Sequence, residues 1–166
     1  MASAAAMSTG AKVMPVYEMY KVGDDPYWLD GLNLLEAATG IRAAVVAHYN
    51  NNQGGTHDTR YCFIGEKRMK VLESQLESDI GILGIDEHTG VRFDIDSKSA
   101  TIFGKGAMTV RMGGKEWKVE AGKTVQFEEI QSHAGARLAT APGVSESVLS
   151  AKKVEEMLDS GDVNSA

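Results

Sequence analysis

The apolar run Ala43–Ala47 most constrains the fold, because His48 and a loop rich in asparagine and glycine follow it at once. A short and wholly apolar run is typical of a strand buried on both faces. A second run of this kind, 82–85, is followed by Asp86 and Glu87. Open α/β sheets carry their chemistry at the carboxyl ends of the strands. The two runs therefore predict neighbouring parallel strands that bring His48 together with one carboxylate, since alternate side chains diverge.

Amphipathic patterns on either side of these strands predict helices that cover the sheet. Trp28, Leu32 and Leu35 recur at spacings of four and three residues, which predicts a helix over about 26–38. The stretch 60–76 carries apolar residues on one face and charged residues outside it, which predicts a second helix. The chain therefore alternates helix and strand in this half, as α/β proteins do.

Beyond residue 90 the pattern changes to short segments that alternate apolar and polar residues between glycine or aspartate turns. This alternation is typical of strands with one solvent-facing side. The segments predicted as strands are 91–95, 100–103, 108–111, 117–119 and 123–127. A last helix is predicted from Ser145 to Asp159. The predicted fold class is α/β, with a short, mostly parallel sheet flanked by helices, followed by an antiparallel β meander and a C-terminal helix.

Composition argues against several kinds of partner. The chain has 23 acidic and 17 basic residues and a net charge of −6 without a basic stripe, which disfavours nucleic acid and anionic membranes. Cys62 is the single cysteine, so no disulfide forms within the chain, and a cytoplasmic location is the simplest expectation. No apolar run approaches a membrane span. Histidines and carboxylates occur near residues 48–58 and 86–88 in no recognised metal-ligand spacing, so no metal or other cofactor is expected.

Four motifs, in order, resemble the later half of the dipeptidase E and cyanophycinase group of the class I glutamine amidotransferase-like superfamily. They are Ser3-Ala4-Ala5, Val46-Ala47-His48-Tyr49-Asn50, Thr59-Arg60 and Leu83-Gly84-Ile85-Asp86-Glu87. The resemblance covers about residues 1–130. It implies a truncated amidotransferase-like α/β domain over 1–130. Outside the resemblance, the residue pattern predicts a linker over 131–144 and a C-terminal helix and tail over 145–166.

The same resemblance implies a Ser-His-Glu hydrolase. The family's serine stands in a Gly-x-Ser-Ala-Gly elbow, its histidine in a Pro-His-aromatic motif and its glutamate in a Gly-x-x-Glu motif. These positions map to Ser3 as nucleophile, His48 as general base and Glu87 as its orienting acid, while Met1 and Ala5 replace the elbow glycines. The resemblance also implies acidic peptides or aspartyl bonds as substrates. The polar side chains expected to contact substrate are Asn50, Asn51, His57, Asp58, Arg60 and His88.

Three functions stay open at the level of the sequence. The first is hydrolysis of an ester, amide or small peptide through Ser3, with a neighbouring subunit completing the pocket. The second is an inactive fragment kept as a structural or binding module. The third is a serine-independent hydrolase, for example glycosidase-like, that uses His48 and carboxylates. A half-sheet exposes an apolar edge, and such edges are usually paired or covered, so we expect a homo-oligomer, most simply a two-fold dimer.

Overall fold

The structure, a computed structural model, describes residues 1–135, and the two apolar runs form adjacent strands near one edge of its largest sheet. A π-helical turn spans Glu18–Val22. The other elements in chain order are α1 (Ala4–Met7), β1 (Lys12–Val13), β2 (Leu29–Asp30), α2 (Leu34–Thr39), β3 (Ala43–Val46), α3 (Gly65–Gln75), β4 (Gly81–Ile85), β5 (Thr89–Asp94), β6 (Ser99–Gly104), β7 (Ala107–Met112), β8 (Lys115–Glu120), β9 (Thr124–Gln126) and α4 (Phe127–Ala134).

The largest sheet in this part of the chain has the order β3-β4-β7-β8. Strands β3 and β4 are parallel, with Val45 opposite Leu83, as the sequence predicted. The next two pairings, of β4 with β7 and of β7 with β8, are antiparallel. Strands β5, β6 and β9 form a separate antiparallel sheet. The α/β class with its antiparallel meander is therefore confirmed, and the meander contributes strands to both sheets.

The parallel strands β3 and β4 have no solvent face because each side of the sheet packs against its own hydrophobic core. Val45 and Leu83 lie in a core with Leu35 of α2 and Ile130 of α4. The neighbouring residues Val46 and Ile82 lie in a second core with Met69 and Leu72 of α3. Since alternate residues point to opposite faces, burial on both faces requires the continuous apolar runs seen in the sequence.

The predicted helix over 26–38 is wrong for its first half. Leu29–Asp30 pair with Lys12–Val13 as a short antiparallel ribbon, and helix α2 covers only Leu34–Thr39. Trp28 lies beside the second core, and its indole N–H donates to the carbonyl oxygen of Leu72 at 2.8 Å. Asn33 takes a left-handed backbone conformation, φ 52°, so the helix cannot begin before it.

The second helix also begins later than predicted, and the end of the domain is helical. Helix α3 starts at Gly65 because residues 61–63 take left-handed conformations. Helix α4 continues to Ala134, so residues 131–134 are helical where the linker was expected to begin. The rest of the linker and the helix predicted over 145–159 lie outside the described residues. Among residues 1–135, no helix combines the length and the apolar character needed to cross a bilayer.

A buried ion cluster ties α3 to the sheet on the side of the second core. Arg111 of β7 is 3% exposed and lies within ion-pair distance of three carboxylates. Its guanidinium nitrogens are 2.9 Å from Glu73, 3.0 Å from Glu66 and 3.5 Å from Glu116. The hydroxyl of Tyr61 donates to Glu66 at 2.7 Å and accepts from Arg111 at 3.3 Å. Burial opposes the charge on Arg111, but its hydrogen bonds to Glu66 and Glu73 raise its pKa above the ordinary value.

Candidate active site

His48 follows the carboxyl end of β3 in a fixed and unusual backbone conformation. Its φ is 52°, which places a non-glycine residue in the left-handed region. The carbonyl oxygen of His48 accepts the amide N–H groups of Asn51 and Cys62, each at 3.1 Å. The next residue, Tyr49, donates its amide to Ile85 of β4 at 3.0 Å. These bonds hold the imidazole at the junction of the two parallel strands.

Close packing behind His48 requires a glycine on the neighbouring strand. The ring of Tyr49 lies flat against Gly84, where an added Cβ would come within 2.3 Å of the ring. The same ring contacts Tyr61 edge-on at 4.6 Å between centroids, and its hydroxyl donates to Glu116 at 2.8 Å. Gly84 therefore serves the approach of Tyr49 to the sheet, which is a steric reason for the glycine in the Gly-x-x-Glu motif.

Glu87 lies just beyond β4 and is braced by two asparagines. Its Oε1 accepts from Asn51 Nδ2 at 2.8 Å and lies 3.3 Å from His48 Nδ1. The amide N–H of Glu87 donates to Asn50 Oδ1 at 2.8 Å. Asp86 points elsewhere, and its Oδ2 accepts the amide of Ala107 at 2.9 Å. One carboxylate of the pair therefore meets His48, as the alternation along a strand predicts.

Ser3 completes the row from the other side of the imidazole. Its Oγ lies 3.1 Å from His48 Nε2. Its backbone angles are φ 48° and ψ −124°, and α1 begins at the next residue. A nucleophile elbow is a strained turn between a strand and a helix, and Ser3 has the strained turn and the helix that follows it. Met7 of α1, which is 3% exposed, anchors this turn in the second core.

The three side chains form one hydrogen-bonded row, Ser3 to His48 to Glu87. Both ends of the row are accessible, because Ser3 is exposed and the side chain of Glu87 is 21% exposed. With Glu87 ionised, Nδ1 of the imidazole carries the proton and Nε2 is free to accept one from the serine hydroxyl. The arrangement can therefore activate a hydroxyl nucleophile.

Cys62 is the other nucleophilic side chain close to this row. It is 7% exposed and packs in the second core. Burial, and after it the charge of Glu87, raises the pKa of its thiol to about 11. The thiolate is the reactive form of cysteine, so Cys62 is inert at neutral pH. This agrees with the interpretation of the lone cysteine as a small buried apolar residue.

The residues predicted to bind substrate fall into separate groups. Asn51 is 1% exposed, so it braces Glu87 from within the protein, and Asn50 does so through the backbone. Asp58 and Arg60 pair with each other at 2.8 Å on the loop before α3. Hydrogen bonds from the Arg60 side chain, and then from the amide of Glu66, hold the pKa of Asp58 below its ordinary range. These contacts give all four residues partners inside the protein.

The two predicted histidines differ in position. His57 is exposed on the loop that follows the asparagines. His88 takes a left-handed conformation, φ 54°, and lines a cavity together with Ser3, His48 and Glu87. Of the six side chains expected to contact substrate, His88 is the one that shares a cavity wall with the row. Within residues 1–135 the structure brings together no cluster of three histidine, cysteine or carboxylate side chains suited to a metal ion.

Two cavities meet at Ser3 and His48. The larger, of about 780 Å³, extends from them past α2 and β5. The smaller, of about 600 Å³, lies on the side of the π-helical turn and is lined by Tyr17, Tyr20, Lys21 and Phe63. A substrate attacked by Ser3 would therefore have space on both sides of the reacting bond, which is the usual form of a small-molecule site.

The fold and the site define an α/β domain with a serine in a strained turn beside a strand-end histidine. Among solved structures, the chain is similar to the crystal structure of a peptidase from an acI-B1 Actinobacterium, with 19% identity and a TM-score of 0.50. The match covers 73% of this chain and 42% of that peptidase, so the chain spans less than half of its length. The likeness shows a shared fold. No family model matches the sequence, and no curated protein matches it.

Proposed function

We propose that the protein is a serine-dependent hydrolase of esters, amides or peptides, of the dipeptidase E and cyanophycinase type. Ser3 is the nucleophile, His48 the general base and Glu87 the acid that orients it. The observation that carries the proposal is the strained Ser3, with φ 48°, whose Oγ lies 3.1 Å from His48 Nε2. The fold shared with a peptidase supports a carbonyl substrate.

The reaction follows from the order of the three groups. His48 Nε2 takes the proton of the Ser3 hydroxyl while Oγ attacks the carbonyl carbon, and Glu87 stabilises the imidazolium that forms. The amide N–H of Ala4, the first residue of α1, has no acceptor in its own helix. In elbows of this kind, the amide after the nucleophile donates to the oxyanion. His48 then passes the proton to the leaving group, and water releases the acyl group by the reverse path.

The direct test is labelling with a fluorophosphonate probe followed by mapping of the modified residue. Only a serine with an activated hydroxyl reacts at a useful rate, so labelling is expected at Ser3 and at none of the other serines. Loss of labelling after acid unfolding would show that the folded site is needed. A wild-type protein that stays unlabelled at millimolar probe would contradict the proposal.

A second candidate, an inactive structural or binding module, is favoured by one observation. The chain matches only 42% of the length of the solved peptidase. In such a module, the same hydrogen bonds would serve only to satisfy buried polar groups around Glu87. The labelling experiment separates the two candidates, because Ser3 of an inactive module is not expected to react with the fluorophosphonate.

We also propose that a second copy of the chain covers the outer edge of β3 and completes the pocket. In the described residues, β3 is an edge strand of its sheet. The chain itself covers part of that edge, because Ala11 donates to the carbonyl oxygen of Ala43 at 2.8 Å, so the proposal concerns the part that this bond leaves open. Edges of buried apolar strands are usually paired or covered. Light scattering at micromolar concentration is expected to give the mass of a dimer, and a monomer alone would contradict this.

Asn51 is expected to be a positioning residue for this reaction. Replacing Asn51 by leucine removes the donor that fixes Glu87 Oε1, and misplacement of a catalytic group by about 1 Å costs about a hundredfold in rate. We expect kcat for p-nitrophenyl acetate to fall by about that factor with little change in KM, and the pH dependence of kcat/KM to shift.

The neighbouring exposed Asn52 offers the matched control, Asn52→Leu, which should behave as wild type. Urea unfolding of both variants separates loss of positioning from loss of stability. If the Asn51→Leu protein unfolds at a lower urea concentration but keeps the wild-type pH profile, Asn51 has only a structural role.

A further inference from the structure

The larger cavity at Ser3 has walls of one chemical kind. Beyond the reacting groups it is lined chiefly by aliphatic and aromatic side chains from α2, the end of β4, β5 and β6. They include Leu34, Ile85, Val91, Phe93 and Phe103. Phe103 is 56% exposed, so this apolar surface is open to a ligand. A surface of this kind binds apolar groups, because it removes their area from water.

Within the described part of the chain, the same cavity has acidic side chains in its lining but no lysine or arginine. The acidic residues are Asp86 and Glu87. Asp86 is 8% exposed, and burial raises its pKa above the ordinary value. Lys118 acts on Asp86 from outside the lining, and its Nζ is paired with Glu120 at 3.1 Å. A carboxylate entering this cavity would meet two acidic side chains without a lysine or arginine in the described lining to pair with it.

The smaller cavity differs from the larger one because a basic side chain lines it. It carries Lys21, whose Nζ lies 4.9 Å from the centre of the Tyr20 ring. The smaller cavity, which also carries Glu18, therefore offers a lysine that the described lining of the larger cavity lacks, although both open on Ser3 and His48. This difference favours one binding orientation for a substrate whose two ends differ in charge.

We infer that the larger cavity takes an uncharged, apolar group of the substrate next to the bond that Ser3 attacks, and that it rejects a carboxylate there. The inference rests on the proposed function and narrows its substrate class. It departs from the acidic substrates that the family resemblance implies, because the basic side chain needed to pair an acidic group is missing from the lining given above.

The test uses two ester series with the full chain. One series varies the acyl group of p-nitrophenyl esters from acetyl to octanoyl, and the other varies the alcohol of acetate esters from ethyl to octyl. In one of the two, kcat/KM is expected to rise by at least about tenfold with chain length, since each methylene in an apolar pocket is worth a factor of this order. Mono-p-nitrophenyl adipate should react at least about a hundredfold more slowly than p-nitrophenyl heptanoate, because its carboxylate would lose hydration against apolar walls and meet the like charge of the lining carboxylates.

A charge placed in the cavity wall makes the test specific. Val91→Lys should raise kcat/KM for the adipate ester and lower it for the heptanoate, while Val71→Lys, on the exposed side of α3, should change neither. Fluorophosphonate labelling of each variant shows whether Ser3 is still activated. Labelling without any dependence on chain length or charge would overturn this inference alone, whereas absence of labelling in the wild type would overturn the proposed function.

Discussion

Ser3→Ala is expected to lower kcat/KM for p-nitrophenyl acetate by at least about a thousandfold and to abolish fluorophosphonate labelling. The hydroxyl removed is the atom that forms the covalent bond, and loss of one member of such a row costs nearly as much as loss of all. The remaining hydroxyl-independent rate comes from binding and from backbone donors alone. Stopped assays of purified wild type and variant at equal concentration measure the ratio.

The matched control for this prediction is Ser8→Ala. Ser8 lies at the other end of α1, and its hydroxyl donates to the carbonyl of Ala5 at 2.9 Å, so it shares the helix but not the site. The Ser8→Ala protein should hydrolyse the ester at the same rate as the wild type. Activity that survives both Ser3→Ala and His48→Ala would refute the site assignment. Activity that survives Ser3→Ala but not His48→Ala would favour the serine-independent reaction.

The central parallel pair could be predicted because its signal is local and strong. Strands β3 and β4 are buried on both faces, so their sequences are apolar without alternation, and a parallel partner needs no turn signal. The helix over 26–38 failed because Trp28 packs on α3 through a hydrogen bond to Leu72 while the chain pairs as a ribbon. In that segment the contact of Trp28 with Leu72, which is distant in sequence, outweighs the helical spacing of the apolar residues.

The two apolar runs predicted that one carboxylate at the end of the second strand would meet His48, and the family resemblance implied that it is Glu87. The hydrogen bonds that hold this pair in place could not be predicted from the sequence. The bond from Asn51 to Glu87 joins residues 36 apart, and the run of asparagines reads only as a loop. The three left-handed residues 61–63, one of which donates its amide to His48, carry no glycine that would reveal them. Strain of this kind is stabilised by its surroundings and leaves no mark in the local sequence.

The buried Arg111 leads to the largest expected effect on stability. Its side chain is 4% exposed and compensates carboxylates on α3 and β8, namely Glu66, Glu73 and Glu116. Removing one partner of a buried ion cluster leaves uncompensated charge in a medium that solvates it poorly. The cluster also lies beneath Tyr49 and Tyr61, which flank the loop that carries His48. Loss of Arg111 should therefore loosen the site as well as the fold.

Arg111→Met is accordingly expected to lower the free energy of unfolding by about 3–5 kcal/mol. Urea unfolding at neutral pH measures this value. Arg92→Met, at an exposed position of β5, is the matched control and should stay within about 0.5 kcal/mol of wild type. Adding Glu73→Gln to Arg111→Met should recover part of the loss, because it removes one of the unpaired carboxylates. Equal stability of Arg111→Met and Arg92→Met would show that the cluster contributes nothing.

The pH dependence of this loss tests its electrostatic origin. Hydrogen bonds from Arg111, and then from Tyr61, lower the pKa of Glu66 from its ordinary value of 4.5 to about 2. Because the folded-state pKa is the lower one, ionised Glu66 stabilises the fold fully above the ordinary value, and this stabilisation is lost as the pH falls toward about 2. In Arg111→Met the pKa of Glu66 returns toward its ordinary value, so acid removes less stability from the variant than from the wild type. The difference in unfolding free energy between the two proteins should therefore shrink across this window, whereas a loss caused only by poorer packing would stay constant with pH.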